Sequence, residues 1–534
     1  MPPAGTLGNP ARPGGERWRS ALAIGLVITA LCLFDDNLAS NEAGKLALAR
    51  QQVEPAWIPH DWYLNSSQGY QWLFQQLSGR IVIPLGFPLG SLVVRLLGYA
   101  LWAWGLAGIT VPLGLSAPLA ALAAALFSFS QGVVAAEWMV GGAEPKTFAY
   151  ATLLLAYAAW RDRRWWASGL YSGLACSFHL LVGGFGILAL TGLALLDQGR
   201  RWNGAALGRW LGGCLLTALP VSLALAEQLV GKGHLAGGSP PGAGSDLPSA
   251  GWIYVVLRNP HHLLPSSWSW ADWARALLFL GLLALGVVLS RARRDGDDPQ
   301  AHAGHDLALW VVMSWPPALI GLLIALRDPQ SSLLQIYPFR LADTLLMLGV
   351  WLLLAAGLQP WLRGRPARSG LVGLVLVISL AGLVRELPGA AAGLRRQFVA
   401  SEPQAELYGW IRRATPTSAL VMAPPSGFED LSLQTGRAGY VQFKQIPTAS
   451  AAIHTWYCRL TALAGDDRRV WEGPGGWQAR ERLGEAYAAL TPPALLRLAD
   501  HSGATVVITR PAQAGPAGWR EGFRNGDWTA WRQP

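Results

Sequence analysis

Carboxylate residues lie next to several apolar stretches of the sequence, where a side chain can meet both lipid and water. Asp35 and Asp36 directly follow the first apolar stretch, and Asp61 lies further along the same polar segment. Glu137 and Glu144 lie in the polar segment between two later stretches. A carboxylate at such a position can deprotonate a hydroxyl group or bind a metal ion. We expect Asp36 to be a catalytic base and the other four to be further catalytic candidates. The alternative for each is an ordinary helix-end or loop carboxylate at the lipid–water interface.

Basic and imidazole side chains accompany these carboxylates. The candidates for binding a phosphate group are Arg95, Lys146, His261, His262 and Arg340. Such side chains form charge-assisted hydrogen bonds with phosphate oxygens and can stabilise a phosphate leaving group. The competing interpretations are an ion pair for Lys146, a polar loop against lipid headgroups for the two histidines, and an arginine that extends toward the interface for Arg340.

The spacing of these residues does not specify a metal site. Asp35 and Asp36 are adjacent rather than separated as in an Asp-x-Asp motif, and the four cysteines form neither a CxxC pair nor a zinc-binding pattern. The sequence therefore leaves any metal cofactor unknown. A divalent ion is compatible with the carboxylates and is not required by them.

The elements that carry these residues are predominantly apolar. The chain of 534 residues is 52% hydrophobic and only 14% charged, against about 25% charged in soluble globular proteins. Apolar stretches recur between residues 21 and 384, and most reach the roughly 18 residues of a membrane-spanning helix. The net charge of +10 reflects arginine clusters in short loops between these stretches. Such clusters set membrane orientation, so we expect no nucleic-acid partner.

The loops between the apolar stretches predict the topology. We expect about eleven spans, because four of the loops that would then face the cytoplasm each hold about three arginines, as the positive-inside rule requires. Residues 1–20 form a cytoplasmic tail, residues 35–80 form a large first outer loop, and the candidate residues lie at the outer side. The predicted spans are 21–34, 90–111, 116–129, 148–160, two within 167–196, 211–230, 273–289, 307–326, 341–358 and 370–384.

The last part of the chain has the pattern of a separate soluble domain. Beyond residue 400 the composition becomes ordinary, and helical stretches alternate with short strand-like ones, which is typical of an α/β fold. The predicted strands are 419–422, 439–443, 504–509 and 528–531. The sequence thus predicts a mainly α, polytopic membrane bundle over residues 21–385, followed by a periplasmic α/β domain over residues 386–534.

Several short motifs resemble the GT-C superfamily of membrane glycosyltransferases. Asp35 and Asp36 follow the first helix, and Glu137 or Glu144 occupies the second outer loop, as carboxylates do in that superfamily. Three further segments look like motifs of an uncharacterised bacterial branch with this layout. They are RNPHHL at 258–263, YPFR at 337–340 and GYVQFK at 439–444.

This resemblance implies a fold, a reaction and partners. A GT-C enzyme would transfer a sugar from a polyprenyl-phosphate-linked donor to a lipid, glycan or protein acceptor on the outer face of the bacterial cytoplasmic membrane. Its partners would be membrane lipids and the lipid-linked donor. Some members of the superfamily use a divalent metal and others do not, and the oligomeric state stays open.

Two other function classes fit a multi-pass membrane protein. A transporter or lipid flippase usually shows internal repeats and polar residues near the membrane midplane, and neither pattern is evident in the sequence. A non-catalytic assembly subunit would use the C-terminal domain to bind a partner. Tolerance of carboxylate replacement, combined with loss of function on deleting residues 401–534, would favour that class.

Overall fold

Most of the chain is helical, as expected where a backbone must satisfy its own hydrogen bonds without water. The structure is a computed structural model, and it describes residues 13–34, 39–66, 69–132, 134–196, 203–231, 247–291, 298–362, 364–396 and 401–534. In chain order, the helices before the C-terminal domain are α1 (Pro13–Cys32), α2 (Ala39–Val53), α3 (Trp62–Asn65), α4 (Trp72–Thr110), α5 (Ala117–Ser130), α6 (Pro145–Arg161), α7 (Trp165–Phe178), α8 (Leu180–Leu196), α9 (Gly204–Gly231), α10 (Ala250–Trp252), α11 (Pro260–Leu263), α12 (Trp270–Arg291), α13 (Pro299–Met313), α14 (Trp315–Arg327), α15 (Arg340–Leu358) and α16 (Arg365–Arg396).

The bundle is that of a multi-pass membrane protein. Among the described residues, six helical segments are long and apolar enough to cross a bilayer. Each of the eleven predicted spans overlaps a helix, but several of these helices are too short or too polar to qualify alone. The six segments are Gly69–Thr110, Gly204–Ala226, Trp270–Arg291, Pro299–Arg327, Arg340–Leu362 and Pro366–Arg385.

Helix α6 lies at the centre of the bundle. It has 17 residues, and every residue from 145 to 160 is buried. Because protein surrounds α6 on all sides, its polar side chains are shielded from lipid. The helix can therefore contain more polar residues than a lipid-facing span. Its first turn carries Lys146, and its last residue, Arg161, begins a cluster with Arg163 and Arg164. A helix of this length separates its two ends by roughly 25 Å.

Two predicted features of the helices take a definite form in the structure. The break expected within 167–196 falls at His179, whose extended backbone (φ −155°, ψ 104°) separates α7 from α8. Helix α4 begins inside the predicted outer loop 35–80 and bends at Gly86, where φ is 73° and prolines lie on either side. Within the same loop, α2 forms a further helix. Helix α16 continues past residue 386 to Arg396.

The C-terminal part is an α/β domain built around one sheet. Strands β1 (Leu420–Met422) and β2 (Ala438–Gly439) are parallel to each other, and β1 is also parallel to β3 (Val506–Thr509). Strand β5 (Thr529–Arg532) is antiparallel to both β3 and β4 (Arg520–Arg524), so the order in the sheet is β2-β1-β3-β5-β4. The elements are α17 (Glu402–Ala414), β1 (Leu420–Met422), α18 (Leu431–Thr435), β2 (Ala438–Gly439), α19 (Ser450–Leu463), α20 (Trp477–Ala488), α21 (Pro492–Ser502), β3 (Val506–Thr509), β4 (Arg520–Arg524) and β5 (Thr529–Arg532).

The strand predicted at 439–443 is therefore wrong over most of its length. Only Ala438–Gly439 pairs with β1, and the chain then leaves the sheet. Val441 and Phe443 alternate with polar residues like a strand, and Tyr440 adjoins Val441. They instead pack into an apolar core that includes Trp456 and residues 253–257. Burial of these side chains against neighbouring elements accounts for the strand-like pattern, although the segment is not a strand of the sheet.

Close packing of α7 on α9 depends on small residues. A Cβ atom on Gly173 would overlap the carbonyl oxygen of Cys214. The same seam carries a hydrogen bond of 2.7 Å from the Thr217 hydroxyl to the carbonyl oxygen of Leu170 and one of 2.6 Å from the Ser177 hydroxyl to the carbonyl oxygen of Thr217. Small and hydroxylated residues allow this approach between membrane helices.

We expect Gly173→Ala to destabilise the bundle, because the added methyl group forces α7 and α9 apart at a cost of about 1–3 kcal/mol. The melting temperature of the purified protein in detergent measures this effect. Gly184→Ala is the matched control, since nothing lies within 4 Å of a Cβ atom there and alanine favours a helix by roughly 0.5–1 kcal/mol. Equal melting temperatures for the two variants would contradict the account of this seam.

Candidate functional site

A cavity of about 840 Å³ lies between the helical bundle and the C-terminal domain. Its walls come from α2, the turn before α4, the segment before α6 with the first turn of α6, the α7–α8 break, the 254–262 and 332–340 segments, and the loops and first turn of α20 in the α/β domain. Six of the ten candidate residues line it. They are Glu137, Glu144, Lys146, His261, His262 and Arg340.

Glu137 is held between two cations. Its carboxylate forms ion pairs of 3.0 Å with Nζ of Lys146 and 3.0 Å with Nε of Arg340. The Glu137 side chain is only 2% exposed. Burial alone would raise its pKa, but Arg340 and Lys146 outweigh burial and hold the pKa at about 2. Glu137 therefore stays ionised at neutral pH and is a poor proton acceptor.

Glu144 has a different environment. Its nearest cation is Lys146, with Nζ 3.7 Å from Oε2. Its other oxygen, Oε1, is buried and has no hydrogen-bond partner among the described residues. Burial raises the pKa of Glu144, with Lys146 acting in the opposite direction. Of the two glutamates, Glu144 is therefore the better proton acceptor and has an oxygen available to a ligand.

The histidine pair is neutral at physiological pH. Burial and the neighbouring His261 lower the pKa of His262 to about 3, and burial and Arg258 lower that of His261 to about 4. Nδ1 of His262 lies 2.6 Å from the carbonyl oxygen of Ala135. Since a carbonyl only accepts, Nδ1 must carry the proton, and Nε2 of the neutral ring is left as an acceptor.

Side chains from other elements hold the irregular segment that carries Glu137. The backbone N–H groups of Val134 and Glu137 donate to Asp343 of α15 at 3.3 and 3.2 Å. The N–H of Ala143 donates to Glu42 of α2 at 2.8 Å. A buried backbone without regular structure requires such partners. The position of Glu137 thus depends on contacts that are far apart in sequence.

Arg95 and Asp61 do not line the cavity. Arg95 forms a 2.7 Å ion pair with the fully buried Glu42 and donates to the carbonyl oxygens of Cys32 and Leu33 at the end of α1. Asp61 caps α3 and accepts hydrogen bonds from the Ser432 hydroxyl (2.7 Å) and the Gly439 N–H (3.0 Å). Arg95 thus joins three helical elements, and Asp61 joins the first outer segment to the C-terminal domain. Asp35 and Asp36 lie outside the described residues.

The structure adds charged residues that the sequence did not single out as site residues. They are Lys45, Arg258, Glu429, Lys444 and Arg480. Arg258 and Lys444 lie within the RNPHHL and GYVQFK segments, so a motif signal existed for them. Lys45 and Arg480 belong to ordinary helices with no local pattern.

Positive charge dominates the walls. Among the described lining residues, the cations are Lys45, Lys146, Arg258, Arg340, Lys444 and Arg480, and the carboxylates are Glu137, Glu144 and Glu429. With neutral histidines, this leaves an excess of three positive charges (6 − 3). No group of three or more His, Cys, Asp or Glu side chains in the described part of the chain is arranged to hold a metal ion.

One known family model matches part of the C-terminal domain. A family model described as "Domain of unknown function (DUF6798)" matches residues 403–463, from the second residue of α17 to the end of α19. No curated protein matches the sequence.

Two solved structures are similar over most of the chain. Archaeal oligosaccharyltransferase AglB from Archaeoglobus fulgidus, in complex with an inhibitory peptide and a dolichol-phosphate, is 12% identical with a TM-score of 0.41, over 92% of this chain and 69% of that chain. ArnT from Cupriavidus metallidurans bound to undecaprenyl phosphate is 13% identical with a TM-score of 0.35, over 98% of both chains.

We expect Arg95→Met to destabilise the protein by roughly 3–5 kcal/mol, because it leaves Glu42 buried without its cation. Adding Glu42→Gln removes that uncompensated charge and keeps an acceptor for the Ala143 N–H. The double variant should therefore recover part of the loss. Chemical or thermal unfolding in detergent measures both. A double variant less stable than Arg95→Met alone would show that the pair is not the determining contact.

Proposed function

We propose that the protein is a GT-C-type glycosyltransferase. It moves a sugar from a polyprenyl-phosphate-linked donor to a lipid, glycan or protein acceptor on the outer face of the bacterial cytoplasmic membrane. The single observation that carries the proposal is the composition of the cavity, where buried carboxylates and an excess of cations meet between a membrane bundle and a soluble domain.

The geometry supports a division of roles between the cations and the carboxylates. Lys146 and Arg340 are both fixed by Glu137, so they are pre-positioned rather than mobile. Fixed cations stabilise charge that develops on a leaving group without reorganising during the reaction. In this proposal they bind the phosphate of the donor, and Glu137 acts by positioning them.

The position of the cations at one end of the bundle supports a site at the membrane–water interface. Lys146 begins α6 and Arg340 begins α15, and both line the cavity. The arginine cluster at Arg161 lies at the opposite end of α6. By the positive-inside rule, that opposite end faces the cytoplasm and the cavity faces outward. The α/β domain, proposed to cover residues 386–534, then lies outside as well.

The proposed reaction is a displacement at the anomeric carbon of the sugar. The acceptor hydroxyl oxygen attacks this carbon, and the bond from carbon to the phosphate oxygen breaks. The electron pair leaves with the polyprenyl phosphate, where the cations stabilise it. The hydroxyl proton passes to a carboxylate. Asp36, directly after α1, is the proposed base, with Asp35 as its neighbour and Glu144 as the described residue suited to assist.

We expect Asp36→Asn to reduce sugar transfer by about 10²–10⁴-fold, the usual contribution of a general base. The assay uses proteoliposomes with tritium-labelled undecaprenyl-phosphate sugars and a membrane lipid extract, and it follows labelled product and released undecaprenyl phosphate. Asp162→Asn, at the far end of α6, is the matched control and should transfer at the wild-type rate.

Full transfer by Asp36→Asn would remove Asp36 from the mechanism and leave Glu144 as the base. Because burial raises the pKa of Glu144, transfer that depends on it falls as the pH drops through that raised value. Glu144→Gln would then reduce transfer by about 10²–10⁴-fold and remove this pH dependence from the residual rate. Uptake of substrate without any covalent product would instead identify a transporter.

A further inference from the structure

The cavity has a second wall, which differs from the one that holds Glu137. We call it the domain wall, and it consists of Arg258, His261, Lys444, Trp477 and Arg480. Three of these residues belong to the α/β domain. The other two belong to the 254–262 segment, which packs against that domain, with Gly476 donating a 2.6 Å hydrogen bond to the carbonyl oxygen of Leu257.

Aromatic rings line the domain wall, in tilted rather than stacked arrangements. The ring of His261 lies 4.1 Å from that of His262 and 6.0 Å from that of Trp477. The Arg480 guanidinium lies 4.5 Å from the centre of the Trp477 ring. Contact with an aromatic face holds a guanidinium in one orientation while leaving its N–H edge available. Trp477 is thus a positioning residue for Arg480.

The environment of Arg480 differs from that of the cations on the bundle side. Among the described residues, no carboxylate lies within ion-pair distance of its guanidinium. Arg340, by contrast, forms a 3.0 Å ion pair with Glu137 through Nε. The planar group of Arg480 therefore retains the donors that suit a carboxylate or phosphate in a two-point contact.

Two further features of the domain wall favour an anion. Nδ1 of His261 is buried and has no hydrogen-bond partner in the described part of the chain, so the tautomer that protonates Nδ1 offers an anion a donor. Helix α20, of 12 residues, begins at Trp477, so its positive end lies at this wall. Burial lowers the pKa of Lys444, and the charge of Glu429 raises it. The charges of Arg258 and Arg480 lower this pKa further, as expected for clustered cations.

We propose that the domain wall is a second anion subsite, which binds a carboxylate or phosphate group of an acidic sugar on the acceptor. Three cations face one carboxylate, Glu429, on this side, against three cations and two carboxylates on the bundle side. The donor phosphate is assigned to Lys146 and Arg340, so the domain wall is left to select the acceptor. This inference deepens the proposed function and rests on it.

Binding of short saccharides to the full chain in nanodiscs tests the subsite in the absence of any donor. Titration calorimetry compares a hyaluronan tetrasaccharide, which carries carboxylates, with the neutral chitotetraose. We expect the acidic probe to bind at least about tenfold more tightly. A further titration adds inorganic phosphate as a competitor. If phosphate displaces the acidic probe, the subsite accepts phosphate as well as carboxylate. If it does not, the subsite accepts carboxylate alone.

Variants of Arg480 localise the binding. Arg480→Ala should weaken binding of the acidic probe by at least about tenfold and leave binding of chitotetraose unchanged. Arg480→Lys should recover part of the lost affinity. Arg497→Ala removes the same charge from an exposed position of α21, away from the cavity lining, and should change neither probe. Thermal unfolding of each variant confirms that the domain is intact.

Equal binding of both probes, or equal effects of Arg480→Ala and Arg497→Ala, would overturn the subsite. The outcome is separable from that of the transferase proposal. A chain that transfers no sugar but binds the acidic probe through Arg480 retains the subsite. If the protein transfers sugar but Arg480→Ala does not change binding of the acidic probe, only the subsite proposal is overturned.

Discussion

Burial of the Glu137 carboxylate is the constraint on which the site depends. An ionised group with 2% exposure must be compensated, and Arg340 and Lys146 supply that compensation from the first turns of two different helices. The constraint acts in both directions, because the side chains of the two cations are only 10% exposed and need Glu137 to compensate their charge. Three charges from one loop and two helices are thereby fixed relative to one another, at the end of the bundle where the cavity opens.

Docking of the C-terminal domain completes the cavity. Arg258 donates from Nε to the carbonyl oxygen of Phe443 at 2.9 Å and from Nη2 to that of Lys444 at 3.1 Å. It lies at the end of a π-helix, Ile253–Arg258, a rare geometry found often at functional sites. Asp61 adds a second connection through Ser432 and Gly439. The soluble domain is therefore a structural part of the cavity, since it contributes one wall and the bundle contributes the other.

Much of the architecture could be predicted from the sequence, because apolar length and arginine placement are local properties. The same holds for Glu137, Lys146 and Arg340, whose positions at the ends of apolar stretches place them at one end of the bundle. Arg95 also lies in such a stretch, but its partner Glu42 is far away in sequence, so its burial in an ion pair had no local signal. Strand β4 was missed because REGFR lacks the alternation of a half-buried strand.

The cavity's affinity for a lipid-linked phosphate is the central claim, and a cryo-electron microscopy structure of the full chain in nanodiscs with undecaprenyl phosphate tests it most directly. The account predicts density for the phosphate inside the cavity, within hydrogen-bond distance of Lys146 or Arg340, with the lipid tail leaving between the helices. Density for the phosphate elsewhere on the protein, with the cavity empty at saturating lipid, would contradict it.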